Sequence, residues 1–145
     1  MQTLKFLPLF LSGFISGIIL YQSLIIAPSI NKLLNNQDAS LYLRYIWPKF
    51  FLIIGLLSLL SFTCILLFDS NQNAAKILSI LSAFFMIICY VAIPYMNQAK
   101  DSINESTFNI LHSGSIILTI ITLIMNLVMQ FLLVHLIQKN QYLRI

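Results

Sequence analysis

The sequence predicts an all-α membrane protein, folded as an antiparallel bundle of four transmembrane helices with an interfacial amphipathic segment between helices 1 and 2. Of the 145 residues, 59% are hydrophobic and only 8% are charged, whereas an ordinary soluble domain has roughly 25% charged residues. The charges leave four long uncharged stretches, each close to or above the roughly 20 residues that a helix needs to cross a bilayer. These stretches do not alternate in polarity, as the strands of a membrane β-barrel do.

The first span is predicted at residues 6–27. Its apolar stretch is longer than the core of a cleaved signal peptide, so we expect it to be retained as a helix. One face is made of small residues, namely Ser12, Gly13, Ser16 and Gly17. Since helices in lipid associate by close packing over such faces, we expect a helix-packing seam inside the bundle. A homodimer interface on the same face is the alternative, and it would make the protein a homo-oligomer.

The amphipathic segment follows Pro28, which is expected to end or kink the first helix because its ring removes an amide donor. Beyond it, apolar residues recur at helical spacing as far as Ile46, with an interruption near Asn35–Asp38. This pattern is typical of a helix that lies at the membrane interface. Trp47 belongs to an aromatic belt, and Pro48 is expected to open the second span.

The second and third spans are predicted at residues 49–68 and 77–96, joined by a tight turn over 69–73. We expect Pro94 to close the third span. Cys64 and Cys89 each fall inside a span, where cysteine usually behaves as a small apolar residue, so no disulfide is predicted. The chain, residues 1–145, is interpreted as a single transmembrane domain.

The basic residues that flank the spans bear on membrane orientation. Lys and Arg are tied at four on each side of the predicted bundle, and the N-terminal amine then favours cytoplasmic termini. We therefore expect a multi-pass protein of the inner cell membrane with both termini in the cytoplasm. Because the basic residues stand singly at helix ends, where they anchor at headgroups, the lipid bilayer is the predicted partner and nucleic acid is not.

The fourth span, predicted at residues 108–137, carries a stripe of polar residues at intervals of three or four: His112, Ser115, Thr119, Thr122, Asn126 and Gln130. This spacing places all six on one face of a helix. A polar group without a partner in hydrocarbon costs several kcal/mol, so the stripe must face other helices or a cavity. Two interpretations follow. The stripe forms interhelical hydrogen bonds, or His112, Ser115, Thr119, Thr122 and Asn126 form a polar pocket for a small ligand or a proton.

His112 is the best-placed ionisable group within a span, and such groups suggest function. His135 lies near the far end of the same helix, where we expect it to meet headgroups. No acidic residue lies within a span, and neither a glycine-rich phosphate loop nor Cys/His metal spacing occurs. The sequence therefore predicts no catalytic residue and no metal site, and it identifies no cofactor.

Four short motifs occur in order along the chain: Ala27-Pro28, Trp47-Pro48-Lys49-Phe50, Pro94, and Phe108 followed by His112 and Ser115. Their order resembles the uncharacterised four-helix family typified by transmembrane protein 205. That family often has Asn seven residues after the His, where this sequence has Thr119. The resemblance implies an integral membrane domain of unassigned activity, and it supplies no reaction, substrate or cofactor.

Two functions are compatible with these features. The first is a small non-enzymatic membrane protein with a role in transport, stress resistance or assembly. The second is a membrane-embedded oxidoreductase, or a haem-, copper- or quinone-binding protein, that uses the polar pocket around His112. The lack of carboxylates within the spans and the single well-placed histidine favour the first.

Overall fold

The computed structural model describes residues 6–68 and 71–142, and these residues form helices and no strands. The elements are α1 (Leu7–Tyr21), a π-helical turn (Gln22–Ile26), α2 (Ala27–Leu33), α3 (Asn36–Phe68), α4 (Asn73–Asp101) and α5 (Glu105–Tyr142). Four helical segments are long and apolar enough to span a membrane, namely Leu7–Leu33, Asn36–Phe68, Asn73–Asp101 and Glu105–Leu136. The predicted all-α fold class is confirmed, and the protein is an integral membrane protein.

In the first long segment the α-helical hydrogen-bonding pattern changes to a π-helical one before Pro28, and the segment remains helical. Proline cannot donate to the carbonyl four residues earlier, and its ring crowds that carbonyl. The preceding turn widens into the π-helical turn, a common response to such an interruption. The helix then continues to Leu33 and ends where Leu34 adopts an extended conformation with φ −105° and ψ 147°.

The interruption expected near Asn35–Asp38 is the start of α3. Asn35 Oδ1 accepts hydrogen bonds from the backbone N–H groups of Gln37 and Asp38 at 3.0 and 2.9 Å. Asn35 therefore caps the first turn of α3, whose backbone donors have no partner within the helix.

The expected amphipathic segment is helical but divided between two elements. Its first part is α2, and residues 36–46 form the beginning of α3. Pro48 therefore does not open a helix, because it lies inside α3, and Pro94 lies inside α4 rather than at its end. A proline removes one hydrogen bond from a long helix, and packing of the flanking turns outweighs that loss. Of the predicted turn at 69–73, Asp69 and Ser70 lie outside the described residues.

The long helices form a closed ring in which α3 packs on α4, α4 on α5, α5 on α1, and α1 on α3. One buried apolar cluster joins α1, α3 and α4 around Ile19, Ile54 and Met86. A second cluster, around Ile65 and Met129, lies toward the chain ends. The core therefore runs along most of the bundle.

Small residues pack most closely between α3 and α4. Gly55 is buried, and a Cβ added to it would lie 3.6 Å from the Cβ of Met86. Six residues after Gly55, Ser61 Oγ accepts a hydrogen bond from Ser79 Oγ at 3.5 Å. These contacts bring the two backbones together without large side chains between them.

The small-residue face of α1 is only partly buried, which corrects the expected seam. Ser12 and Ser16 are buried, but Gly13 and Gly17 are exposed, and a Cβ added to either would meet nothing within 4 Å. Successive helical residues are rotated by about 100°, so each glycine turns away from the core when its serine neighbour faces it. The two glycines do not pack within the monomer, and their role in a homodimer stays a prediction.

Candidate functional site

The polar stripe of α5 faces the bundle along most of its length. Ser115, Thr119, Thr122 and Asn126 are buried, Gln130 is half-buried, and His112 at the start of the stripe is exposed. The structure does not bring the five residues of the predicted pocket together. His112, Ser115 and Thr119 line a cavity, whereas Thr122 and Asn126 are not part of its wall.

The part of the stripe nearer the chain ends makes hydrogen bonds to other helices. Asn126 Nδ2 donates to Ser82 Oγ of α4 at 3.2 Å and to the carbonyl of Thr122 at 2.9 Å. Gln130 Nε2 donates to Ser16 Oγ of α1 at 3.0 Å. The buried Thr122 bonds its own helix, since its Oγ1 donates to the carbonyl of Leu118 at 2.9 Å. We call this region, comprising Thr122, Asn126, Gln130 and the interhelical partners of the two amides, the closed half of the bundle.

The other half contains a cavity of about 660 Å³, within the range of small-molecule sites, about 300–1,000 Å³. We call it the loop-side cavity, because it lies toward the α2–α3 and α4–α5 connections. One wall is formed by the end of α1 with the residues that follow it, and the opposite wall by the first half of α5. The remaining wall consists of residues from α3 and α4, among them Trp47, Phe51, Ile93 and Met96.

The cavity exists because the first long segment separates from α5 after Tyr21. α1 packs against α5, but no Cα atom of the π-helical turn or of α2 lies within 8 Å of a Cα atom of α5. The edges of the resulting gap are exposed apolar side chains, Leu20 and Leu24 on one side and Ile116 and Ile120 on the other. Exposed aliphatic edges within a transmembrane bundle indicate an opening toward lipid.

The lining changes from apolar to polar along the cavity. Ile19, Phe51 and Ile93 are buried at its inner side, whereas Arg44, Lys100 and His112 belong to its rim, together with several asparagines. Arg44 precedes the uncharged stretch of α3, and Lys100 follows that of α4. The rim is therefore at the level where lipid headgroups meet the hydrocarbon.

Arg44 is held in place by Asp101, the last residue of α4. Its two terminal nitrogens donate to the two carboxylate oxygens, one of them at 3.1 Å. This pairing connects the start of α3 to the end of α4 and is bidentate, the geometry in which arginine binds carboxylates best. The hydrogen bond and charge of Arg44 hold the pKa of Asp101 below its ordinary value.

Phe108 contacts the two other basic residues of the rim, Lys100 and His112. The Lys100 ammonium lies 5.0 Å from the centre of the Phe108 ring, within the range of a cation–π interaction. The imidazole of His112 stacks on the same ring at 5.4 Å, with 8° between the ring planes. Lys100 and His112 thus contact the same aromatic ring at the mouth of the cavity.

The hydroxyl groups of the lining bond to their own helix. Ser115 Oγ donates to the carbonyl of His112 at 2.7 Å, and Thr119 Oγ1 donates to the carbonyl of Ser115 at 2.7 Å. The Ser115 hydroxyl thus bonds the backbone of His112 rather than its imidazole. Within the described part of the chain, the ring nitrogens of His112 have no hydrogen-bond partner.

Sequence reasoning did not identify Arg44, Trp47 or Lys100 as site residues. Arg44 and Asp101 are 57 positions apart, so no local spacing connects them. The available signal was that basic residues of two different connections belong to the same side of the membrane.

Metal-binding groups are sparse in the described residues. No cluster of three or more His, Cys, Asp or Glu side chains occurs among residues 6–68 and 71–142 in an arrangement that could hold a metal ion. Cys64 and Cys89 are both buried free thiols. The described lining of the loop-side cavity offers apolar contact, hydrogen bonding and positive charge.

Comparison with known proteins gives a family and no activity. No curated protein and no solved structure matches the chain significantly. Residues 10–105 match the family described as "Domain of unknown function (DUF4149)", and because this range covers more than half of the 145 residues, the chain belongs to that family.

Proposed function

We propose that the protein is a small non-enzymatic membrane protein that binds an amphipathic molecule in the loop-side cavity, with a role in transport, stress resistance or assembly. The observation that carries this proposal is the lining, which is apolar at Ile19, Phe51 and Ile93 and basic at Arg44 and Lys100. Pockets of this kind bind ligands through apolar burial and fix their orientation through a few polar groups.

The resemblance to the transmembrane protein 205 family supports the same proposal. We propose that the chain is a relative of that family, on the order of the motifs that run from Ala27-Pro28 to Ser115. All three residues of the last motif, Phe108, His112 and Ser115, line the cavity.

The membrane placement is part of the proposal. The bilayer is the partner of the exposed aliphatic surface, and we place the protein in the inner cell membrane with cytoplasmic termini. A terminal tag that is accessible only from outside the cell would contradict this orientation. We propose no nucleic-acid partner, because the basic residues stand singly along the sequence.

A homodimer through α1 is also proposed. Gly13 and Gly17 are exposed on a face that carries the stacked rings of Phe10 and Phe14, 6.3 Å apart. Exposed glycines at this spacing permit close approach of a second helix in lipid. Cross-linking through a cysteine placed at Gly13 would detect it, and its absence in native membranes would contradict it.

A redox function is the second candidate, and His112 is the observation that favours it. Its imidazole lines the cavity, and its ring nitrogens have no partner among the described residues. The absorption spectrum of the purified protein separates the candidates, because a haem Soret band or a copper signal would establish the second. Removal of such a band by His112→Ala would assign the ligand.

Trp47 gives a direct test of ligand binding, because it is the single tryptophan of the chain and lines the cavity. The full chain is placed in nanodiscs of unlabelled lipid, and bromine-labelled single-chain amphiphiles, a fatty acid and a neutral monoacylglycerol, are added. Bromine quenches tryptophan at short range, so a bound amphiphile quenches Trp47. We expect quenching by at least one of them to saturate at a low mole fraction; a linear increase with both would contradict the proposal.

Two matched variants separate the cavity from the general lipid surface. Ser23 is exposed and lines the cavity, whereas Ile25, two residues later, is exposed and does not line it. Ser23→Phe should abolish saturable quenching and Ile25→Phe should retain it, with both variants keeping their thermal stability. Saturable quenching that survives Ser23→Phe would place the bound amphiphile elsewhere.

A further inference from the structure

We propose that the ligand of the loop-side cavity is an anionic membrane lipid, whose acidic headgroup binds Arg44 and Lys100 at the rim. One acyl chain enters the apolar part of the cavity between α1 and α5. This inference rests on the proposed function and adds to it the chemical class and the source of the ligand.

The charge of the lining is the first argument. Arg44 and Lys100 line the cavity, and none of its described lining residues is Asp or Glu. The nearby carboxylates, Asp101 and Glu105, lie outside this lining. Asp101 neutralises part of the charge of Arg44, but Lys100 has no carboxylate partner among the described residues. The lining therefore carries a net positive charge, which favours an anionic group over a neutral or cationic one.

The geometry of Arg44 leaves it able to bind a second anion. Asp101 accepts one hydrogen bond from each terminal nitrogen of the guanidinium, and a guanidinium has further N–H donors in the same plane. The bidentate pairing fixes the plane of the group, so fewer rotamers are lost when a phosphate or carboxylate binds.

The position of Lys100 complements that of Arg44. Lys100 directly follows the uncharged stretch of α4, and Arg44 lies five residues before Lys49, which borders the uncharged stretch of α3. Both charges are therefore outside the apolar stretches, at headgroup level. The Lys100 ammonium rests against Phe108 without a carboxylate partner among the described residues. A compact ammonium with rotatable donors adapts to phosphate oxygens at several orientations.

The opening of the cavity identifies a lipid rather than a soluble anion. Beyond Tyr21 the π-helical turn and α2 do not contact α5, which leaves a gap. The exposed side chains at the edges of this gap, Leu24 and Ile120, are aliphatic. A lipid can enter sideways through this gap, with one chain in the cavity and the other in the bilayer. A soluble anion would gain nothing from the apolar inner wall at Ile19, Phe51 and Ile93.

The experiment compares two bromine-labelled phospholipids with identical chains, phosphatidylglycerol and phosphatidylcholine, in nanodiscs of unlabelled phosphatidylcholine. The signal is the quenching of Trp47 in the full chain. We expect phosphatidylglycerol to reach half-maximal quenching at about a ten-fold lower mole fraction than phosphatidylcholine, because Lys100 is a full cation at the membrane surface and Arg44 one that Asp101 partly neutralises. Equal saturation curves for the two lipids would overturn the headgroup assignment but leave the proposed function in place.

Variants identify the groups that recognise the headgroup. Arg44→Gln and Lys100→Gln should each reduce the preference for phosphatidylglycerol. Lys32→Gln is the matched control, because Lys32 is exposed at the end of α2 and does not line the cavity. Asp101→Asn removes the carboxylate that partly neutralises Arg44 and keeps both cations, so it should retain the preference for phosphatidylglycerol. A loss of preference as large as in Arg44→Gln would overturn the assignment of the headgroup to the charge of Arg44.

Three results would overturn the inference in different ways. Loss of preference in Lys32→Gln as large as in Lys100→Gln would mean general surface charge. Complete suppression of quenching by millimolar glycerol phosphate would identify a soluble anion as the ligand. Non-saturable quenching with phosphatidylglycerol, phosphatidylcholine and the single-chain amphiphiles alike would remove both the inference and the proposed function.

Discussion

The polar stripe of α5 has two parts that differ in what surrounds them. In the closed half, the amides of Asn126 and Gln130 reach across to Ser82 and Ser16. In the loop-side half, the hydroxyls of Ser115 and Thr119 bond the backbone of their own helix and line an open cavity. Residues at the same helical spacing therefore bind neighbouring helices in one half and leave room for a ligand in the other.

The difference follows from the length of the side chains and from whether their hydrogen bonds can be made within their own helix. Ser and Thr in a helix satisfy their hydroxyl with the carbonyl three or four residues earlier, so they need no neighbouring helix. Asn and Gln amides have more donors and acceptors than one backbone carbonyl can use, which favours a partner across the interface. A stripe that changes from hydroxyl to amide residues along a helix thus permits separation at one end and association at the other.

The largest expected effect contrasts a packed glycine with an exposed one. Gly55→Leu should lower the free energy of unfolding by about 3 kcal/mol, because the new side chain must displace α3 from α4 near Met86. Gly13→Leu should change it by less than about 0.5 kcal/mol, as expected for an open surface. Thermal unfolding of both variants measures the difference, in a detergent in which size-exclusion chromatography gives the mass of a monomer.

A loss of stability in monomeric Gly13→Leu as large as in Gly55→Leu would contradict the assignment of the α1 glycines to the outer surface. If Gly13→Leu loses stability only under conditions in which the chain self-associates, the result would instead support the homodimer through Gly13 and Gly17. Gly55→Ala serves as a control, because a Cβ at that position is in ordinary contact with Met86.

A smaller effect compares the two parts of the stripe directly. Asn126→Ala removes an interhelical hydrogen bond and leaves a void beside Ser82, so we expect a loss of about 1–2 kcal/mol. Ser115→Ala removes a bond within α5 at the edge of the cavity, and its loss should be below about 0.5 kcal/mol. Equal losses, measured by denaturation in the same detergent, would mean that the two halves are equally closed.

The sequence predicts the fold class well because membrane helices are determined by local hydrophobicity. Four uncharged stretches and a stripe with helical spacing are visible without any knowledge of contacts. Which face of α1 is inward was less predictable, since serine and glycine are both small and alternate along the same helix. The burial of Ser12 and exposure of Gly13 depend on how α1 is rotated against α3 and α5.

The cavity was beyond sequence reasoning for a different physical reason. The cavity depends on the separation of the first long segment from α5 after Tyr21. Pro28 alone does not specify the direction in which that segment turns. The stripe did point to His112, Ser115 and Thr119, which line the cavity. It also included Thr122 and Asn126, because residues that bond a helix and residues that line a cavity follow the same period.

A further prediction concerns His112, which is exposed and contacts Phe108. His112→Ala should change the free energy of unfolding by less than about 0.5 kcal/mol. It should nevertheless weaken saturable quenching of Trp47 by amphiphiles, because the rim loses a polar group. Thermal unfolding and quenching on the same preparation separate the two effects, and a large loss of stability would indicate a structural histidine.

The smallest expected effect is that of the ion pair between Arg44 and Asp101 at the rim. Arg44 lowers the pKa of Asp101 in the folded protein, so the pairing stabilises the fold above the ordinary pKa of aspartate, about 3.9. That contribution is lost as pH falls through the lowered pKa of Asp101. Because the carboxylate is exposed, salt should screen the contribution as well.

Asp101→Asn tests this prediction, because the variant keeps the shape of the side chain and removes its charge. In low salt, the stability of the parent protein should fall more steeply on acidification than that of Asp101→Asn, and high salt should reduce the difference. Since Arg44 connects α3 to the end of α4 only through Asp101 among the described ion pairs, the variant should also loosen the rim without altering the closed half. Hydrogen exchange of backbone amides measures this, with the region of Asn126 and Gln130 as the internal reference. We expect Asp101→Asn to accelerate exchange around Arg44 and not around Asn126 and Gln130. Equal acceleration in both regions would mean that the two halves of the bundle open together.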